Sequence, residues 1–283
     1  MAKQKREVEV VILSDIHLGT YGCHAKELVA YLKSISPKLL ILNGDVIDGW
    51  AFSKRYFPNS HMSVLSEFFK MMKKGTQVIY ITGNHDGFLR KYTDLSMGNL
   101  FLTDKYLLEI EGKKHWIFHG DVFDHTTSGG AKFIAKLGGM GYDWLILVNR
   151  AINWVLEKFG KGKVSLSKKV KNSVKKAVKF IGDFEKKATE IAINNHYDYV
   201  ICGHIHQPAD KILTTEKGSV HYLNSGDWIE NLSWLEFDKG NWSLKFFNEK
   251  EFEKPIIEKN DISVNMEELI HPKVFAEFAT QKV

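Results

Sequence analysis

The stretch Val8-Glu9-Val10-Val11-Ile12-Leu13-Ser14-Asp15-Ile16-His17 decides how the rest of the chain is read. A short, mostly apolar and β-branched run predicts a buried strand, and it stops in a turn bearing an acid and an imidazole. The same arrangement recurs four times. Leu39-Leu40-Ile41-Leu42 runs into Asn43-Gly44-Asp45, and Val78-Ile79-Tyr80-Ile81 into Gly83-Asn84-His85-Asp86. Trp116-Ile117-Phe118 runs into His119-Gly120-Asp121, and Tyr199-Val200-Ile201-Cys202 into Gly203-His204-Ile205-His206. Helical stretches separate the early strands, from about Lys26 to Ser34 and from Ser63 to Lys73, with Gly75 closing the second. Strands alternating with helices predict a layered α/β fold, whose ligands bind where strands end at their carboxyl termini. Five polar loops placed alike are therefore expected to meet in space.

Beyond this frame the chain changes character. His204 follows His119 by 85 positions, too far for one plain connection within a compact domain. Trp144, Leu145, Val148, Ile152, Val155, Leu156 and Phe159 share one side of a predicted helix, with Arg150, Asn153, Glu157 and Lys158 mostly on the other. A lysine-rich run from Lys168 to Lys179 follows, then a predicted helix from about Asp183 to His196. Residues 126–180 read as a helical insertion over the site, with the core formed by 1–125 and 181–250 and a mostly polar tail at 251–283. The segment from about Ser219 to Phe247 alternates like antiparallel strands, with Val220-His221-Tyr222-Leu223 and Trp234-Leu235-Glu236-Phe237 as its centres.

Composition narrows the class. Hydrophobic residues make up 44% of the 283 and charged residues 26%, enough for a sizeable core and a solvated surface. The two cysteines, Cys23 and Cys202, lie outside any CxxC spacing, which argues against a disulfide scaffold or a thiolate zinc site. The first residues lack the apolar core of a secretory signal and no apolar run is long enough to cross a bilayer, so a cytoplasmic location is expected. Between Ala131 and Glu190, fourteen Lys and Arg stand against five Asp and Glu, leaving 25 basic and 29 acidic residues elsewhere. The basic character belongs to one segment and points to a phosphate-rich partner.

The loops supply Asp15, His17, Asp45, Asn84, His85, His119, His204 and His206. Carboxylates, imidazoles and an amide oxygen without thiolate suit Mn²⁺, Fe or Zn²⁺. Asp-x-His and His-x-His on extended backbone would send both side chains of each pair toward one small region. A single carboxylate can bridge two cations, as two-metal hydrolysis requires. One Asp or His at a strand end is ordinarily a cap or turn residue. Five such loops in order are harder to explain that way. The other histidines (24, 61, 115, 125, 196, 221 and 271) are assigned surface or structural roles.

The series Asp15-x-His17, Gly44-Asp45-x-x-Asp48, Gly83-Asn84-His85-Asp86, His119-Gly120-Asp121 and Gly203-His204-x-His206 resembles the calcineurin-like metallophosphoesterases, from Val8 to about Trp228 with the insertion apart. That resemblance implies a four-layer αββα sandwich with a helical cap and two divalent metal ions, Mn²⁺ foremost. Asp15, His17, Asp45 and His206 would hold one ion, and Asp45, Asn84, His119 and His204 the other, with Asp45 bridging. His85 is the implied catalytic residue, donating a proton or stabilising charge at phosphorus, with Asp86 a candidate to hold it. Asp48, Asp86 and Asp121 would orient the ligands, or serve simply as turn residues.

Within that family the chain is most similar to the UDP-2,3-diacylglucosamine hydrolases of lipid A biosynthesis, which carry a helical insertion here and release UMP and an acylated sugar phosphate. An apolar helix face followed by lysines would suit such an amphiphile and peripheral contact with an anionic membrane, and would equally suit an insertion packed on the core beside a solvated face. One residue departs from the branch: His85 stands where those enzymes usually have arginine. A phosphodiesterase or phosphatase acting on another soluble substrate is the alternative. A nuclease is a further one, although nucleic acid is disfavoured because no aromatic-basic interleaving marks a strand-binding groove.

Overall fold

The computed structural model describes residues 5–50, 56–126 and 167–252, with side chains throughout except at 125–126 and 167–177. Strands β1 (Arg6–Leu13), β2 (Ile35–Asn43), β3 (Gln77–Ile81), β4 (Ser96–Met97) and β5 (Leu100–Thr103) precede β6 (Lys105–Ile110), β7 (Lys113–Phe118), β8 (Tyr199–Cys202), β9 (Ala209–Thr215), β10 (Gly218–Asn224), β11 (Ser233–Asp238) and β12 (Asn241–Phe246). The α-helices are α1 (Ala25–Ser34), α2 (Asn59–Lys73) and α3 (Ser167–Asn194). Two sheets result. One has seven strands in the order β12-β11-β1-β2-β3-β5-β4, the other five in the order β6-β7-β8-β10-β9.

Three apolar clusters stack the layers. Val11 and Leu13 of β1 pack with Leu28 and Leu32 of α1 and with Val64 and Phe68 of α2. Val10 and Ile12 belong to a second cluster with Ile41 and Ile79, which meets Ile117, Ile201 and Leu223 of the other sheet. Val200, Cys202, Val220 and Tyr222 then join Phe184, Ala188 and Ala192 of α3. Alternation along each strand thus feeds two different cores, and the order helix, sheet, sheet, helix follows. It is an α/β sandwich. Fully burying an aliphatic side chain is worth about 1.5–3 kcal/mol, so the continuous apolar runs are what hold the strands between layers.

Strand register places the site. β1, β2 and β3 are parallel, with Leu13 opposite Leu42 and Asn43 opposite Ile81. β7, β8 and β10 are parallel too, with Ile117 opposite Ile201 and Cys202 opposite Asn224. Within each sheet the loops therefore leave from nearly the same level.

Several elements depart from the sequence reading. β4, β6, β9 and β12 are edge strands, and β6 and β9 mix lysines and acids with apolar residues. A half-exposed edge lacks the apolar run that marks a central strand, which is why β4, β6 and β9 carry little sequence signal; β5, Leu100–Thr103, is an interior strand too short to stand out. The strands expected at Val220 and Trp234 form, each with an antiparallel partner, but in different sheets. β10 pairs with β8 and β9 in one sheet, and β11 with β1 and β12 in the other. The helix expected from Asp183 already begins at Ser167. Lysine is a good helix former, so the basic run continues the helix. The helix expected around Trp144 to Phe159, the body of the expected insertion and most of the tail lie outside the described residues. Among the described residues, no helix is long and apolar enough to cross a membrane.

Candidate metal centre

The exits of β1, β2 and β8 are shaped by backbone that ordinary residues avoid. Asp15, His17, Asp45, His204 and His206 have φ of 51°, 53°, 53°, 67° and 51°. Left-handed backbone at a non-glycine residue costs about 1 kcal/mol or more, and such strain persists where the surroundings fix it. The segment after Leu13 is thus not extended. It is held by Asp15 N–H donating to the Gly44 carbonyl (3.0 Å) and His17 N–H to the Asp45 carbonyl (2.9 Å). A kinked exit, rather than strand alternation, aims the side chains. The two histidines of His204-Ile205-His206 consequently part company and serve different clusters. Two glycines are required sterically: a Cβ on Gly44 would strike the His119 ring, and one on Gly83 would strike the Asp45 carboxylate.

Asp15, His17 and His206 form one group whose ligand atoms lie within 4.8 Å of one another; Asp45, His119 and His204 form a second. Asp45 stands between them, with Oδ2 3.1 Å from His119 Nε2 and 4.0 Å from His17 Nε2. Its Oδ1 accepts the His85 N–H at 2.7 Å. Asp15 Oδ2 accepts the His204 N–H at 3.0 Å, while Oδ1 faces His206 Nε2 at 3.2 Å.

Whether these residues fit cations is tested by what they leave undone. Asp15 Oδ1, His17 Nε2, Asn84 Oδ1 and His119 Nε2 are all buried and make no hydrogen bond. Orphaned buried polar atoms are costly and rare, and those of Asp15, His17 and His119 lie within the two adjoining groups, so they call for a partner of another kind. The remaining imidazole nitrogens are already engaged. His119 Nδ1 donates to the Asn43 carbonyl (2.9 Å) and His17 Nδ1 to Asp48 Oδ2 (3.1 Å), which leaves each Nε2 lone pair facing inward. The donor set fits two divalent cations.

Electrostatics say the same. Burial opposes charge on all of these groups, but their mutual attraction overrides it. The imidazoles of His206 and His119 hold Asp15 down to about 2, and His119 holds Asp45 well below the usual carboxylate range. In return, Asp15 lifts His206 to about 9, and Asp45 lifts His119. Protons on these imidazoles occupy the role a cation would take, and cation binding would displace them.

The flanking residues sort by contact. Asp48 Oδ2 accepts from His17 Nδ1 and forms an ion pair with His85 Nδ1 at 2.9 Å, so Asp48 links the two rings of the grouping His17, Asp48 and His85. His85 is therefore held by Asp48 and not by Asp86. Asp86 instead braces the loop, accepting from Gly83 N–H, Val46 N–H and the Tyr80 hydroxyl at 2.6–2.9 Å. Asp121 takes the guanidinium of Arg90 at 2.5 Å.

Several neighbours escaped the sequence reading. Asp124 Oδ1 lies 2.9 Å from His204 Nε2. Trp50, 56% exposed, tilts over His85 with ring centroids 4.1 Å apart. A sixth loop, Asn224-Ser225-Gly226-Asp227, leaves β10 and supports the others: Asn224 Nδ2 donates to the Gly203 carbonyl (2.9 Å), and Ser225 and Ser14 share a hydroxyl pair at 2.6 Å. Its signal was available, since it is one more polar turn at the end of an apolar strand.

The comparisons with known proteins agree. The UDP-2,3-diacylglucosamine hydrolase of Aliivibrio fischeri is 24% identical over 249 residues, covering 86% of this chain and 99% of the relative. The enzyme of that name from Shigella sonnei is 26% identical over 191 residues, covering 67% and 77%. Among solved structures, an archaeal phosphodiesterase aligns with a TM-score of 0.41 at 15% identity, covering 84% of this chain and 98% of that one. The phosphoesterase Yfce of E. coli aligns with a TM-score of 0.39 at 16% identity, covering 84% and 99%. Structural likenesses at this level carry no argument. The family model of the calcineurin-like phosphoesterases matches residues 8–208, which include every candidate ligand, and the chain belongs to that family of metal-dependent phosphoesterases.

Proposed function

We propose that this chain hydrolyses a phosphoester or pyrophosphate bond at a two-cation centre, with Asp15, His17, Asp45 and His206 around one cation and Asp45, Asn84, His119 and His204 around the other. The observation that carries this reading is the convergence of three buried, hydrogen-bond-free ligand atoms, Asp15 Oδ1, His17 Nε2 and His119 Nε2, on two adjoining groups. When bound, a divalent pair supplies Lewis acidity to the phosphoryl oxygens and brings the pKa of a water toward neutrality. Mn²⁺ is the proposed native ion, with Fe and Zn²⁺ as alternatives.

The chain's own residues do the rest. The Asp45 carboxylate faces both groups and fixes their spacing. Asp48 and the Asn43 carbonyl fix the tautomers of His17 and His119. Burial works against charge on His85, but Asp48 and Asp45 outweigh it and raise its pKa, which equips the imidazole to give a proton to the leaving oxygen.

The substrate we propose is a nucleotide-linked lipid of the UDP-2,3-diacylglucosamine kind, cleaved to UMP and an acylated sugar phosphate. Relatives bearing that name align over most of their own length, which supports it. The lysine-rich segment supports an anionic, membrane-associated substrate met by peripheral contact. A second reading, a soluble phosphodiester or phosphomonoester, is favoured by His85 itself. A screen with Mn²⁺ comparing UDP-diacylglucosamine, unacylated nucleotide sugars, cyclic nucleotides and phosphoproteins separates them. UMP release confined to the acylated substrate is expected; equal turnover of short soluble diesters would overturn the lipid assignment.

A further inference from the structure

Arg90 lies outside every ligand motif, yet it contacts both loops that feed one of the two groups. It sits in the short 3₁₀ helix Gly87–Tyr92 that follows Asn84, His85 and Asp86. Its Nη2 meets Asp121 Oδ2 at 2.5 Å, and Asp121 stands two residues after His119. Its Nε donates to Thr82 Oγ1 at 3.4 Å and lies 3.6 Å from Asp104 Oδ1, and Thr82 donates in turn to Asp104. One guanidinium therefore ties the exit of β3, the exit of β7 and the link between β5 and β6.

The two tied loops are not equally held without it. His119 has a separate anchor in the Asn43 carbonyl, and its loop is further tied by the Gly203 N–H donating to the His119 carbonyl at 3.0 Å. The Asn84 loop is braced by Asp86, whose partners Gly83, Val46 and Tyr80 lie on the β2 and β3 side. On the β7 side the Arg90–Asp121 pair closes the arc. Asn84 Oδ1 is itself buried with no hydrogen bond to fix it. A neutral amide oxygen is the weakest donor of the proposed set, and it tolerates the least misplacement.

We infer that Arg90, through Asp121, is a positioning residue for the second cation of the proposed pair (the one assigned to Asp45, Asn84, His119 and His204) and is dispensable for the first. This rests on the two-cation reading above. Asp15, His17 and His206 hang from β1 and β8, which Arg90 does not touch.

Metal content after Mn²⁺ reconstitution, with calorimetric titration of the stripped protein, tests it. Wild type should take up two ions. Arg90→Met should retain the tighter phase and weaken the other roughly 10–100-fold, the range found when groups that orient ligands are removed. Asp121→Asn and the double variant should match that loss without adding to it, since the pair acts as one tie. Arg90→Lys keeps a charge for Asp121 but lacks the fork that spans Thr82 and Asp104, so it should restore the second ion only in part and decides the matter if Arg90→Met does not fold. Two unchanged phases in these variants, or equal weakening of both, would overturn the inference while leaving the two-cation reading intact. A wild type that holds no metal would overturn that reading as well.

Discussion

Two polar clusters are buried in this fold, and they are built on opposite plans. At the strand exits, Asp15, His17, Asn84 and His119 leave ligand atoms without hydrogen bonds, and Asp15, His17, Asp45, His204 and His206 hold left-handed backbone. Beside α1, Glu236 is 4% exposed and fully used: Oε1 accepts from Tyr31 Oη (2.9 Å), Trp234 Nε1 (2.9 Å) and Arg6 Nη2 (2.7 Å), and Oε2 from Arg6 Nη1 (2.9 Å). None of these four residues has positive φ. Both clusters bury carboxylates against cations and aromatic rings, so burial and charge alone do not separate them. Satisfaction does. A network whose members complete one another is part of the architecture, whereas one that stays incomplete at a cost in strain is kept for something it has yet to bind.

The sharpest way to break that contrast is at Asp45. Asp45→Asn removes the charge shared by both groups, and kcat/KM is expected to fall by about a thousandfold or more, roughly 4 kcal/mol of transition-state stabilisation. The local backbone should keep its shape. Asparagine tolerates left-handed backbone, and its Oδ1 can still accept the His85 N–H that Asp45 now receives at 2.7 Å. Metal-free protein also loses the attraction between Asp45 and His119, so its unfolding free energy should fall too, and the discriminating readout is kcat/KM per folded molecule. A variant near wild-type rates would show that the site does not work through this carboxylate.

Glu236→Ala should do the reverse. It leaves the Tyr31 hydroxyl and the Trp234 indole N–H buried without their acceptor, at about 1–3 kcal/mol for each such group, so a loss of about 3 kcal/mol in urea denaturation is expected with kcat/KM per folded molecule unchanged. Burial alone would raise the Glu236 pKa, but the Arg6 guanidinium overrides it and holds the carboxyl below its ordinary 4.5. Its contribution is therefore complete above pH 4.5 and fades as pH falls through the lower folded value, so the gap between wild type and variant should narrow on acidification.

What could be read beforehand follows the same division. Five of the central strands, and the Asp and His residues that the fold gathers into two groups, were legible because each of those apolar runs ends in an Asp, Asn or His, and five such endings in order leave few alternatives. Edge strands such as Lys105–Ile110 were not, because half their residues face water. Glu236 looked like one polar position in an alternating strand, since its partners Arg6 and Tyr31 are more than 200 residues away. Arg90, Asp124 and Trp50 were missed for a related reason: their roles come from a neighbour reached only through the fold. The left-handed backbone was hidden as well, and it overturned the argument from alternation while leaving the ligands in place.

A buried histidine offers the finest test, because the same side chain occurs on both sides of the contrast. His61 is 2% exposed, and its Nδ1 accepts the Gly19 N–H at 2.9 Å, two residues beyond His17. No carboxylate balances it, so burial lowers its pKa from 6.5 to about 4 and keeps the ring neutral. With the folded pKa depressed, the unfolded chain binds the proton first. Stability should fall as pH drops from about 6.5 toward 4 and level off below that, a swing of about 3 kcal/mol. His61→Asn retains an oxygen to receive Gly19 and cannot titrate, so its chemical denaturation midpoints should lose this slope while its metal uptake stays that of wild type. A slope of the same sign that persists in the variant would overturn the assignment to His61, because the strand-exit histidines His119 and His206, whose pKa values are elevated, change stability in the opposite sense.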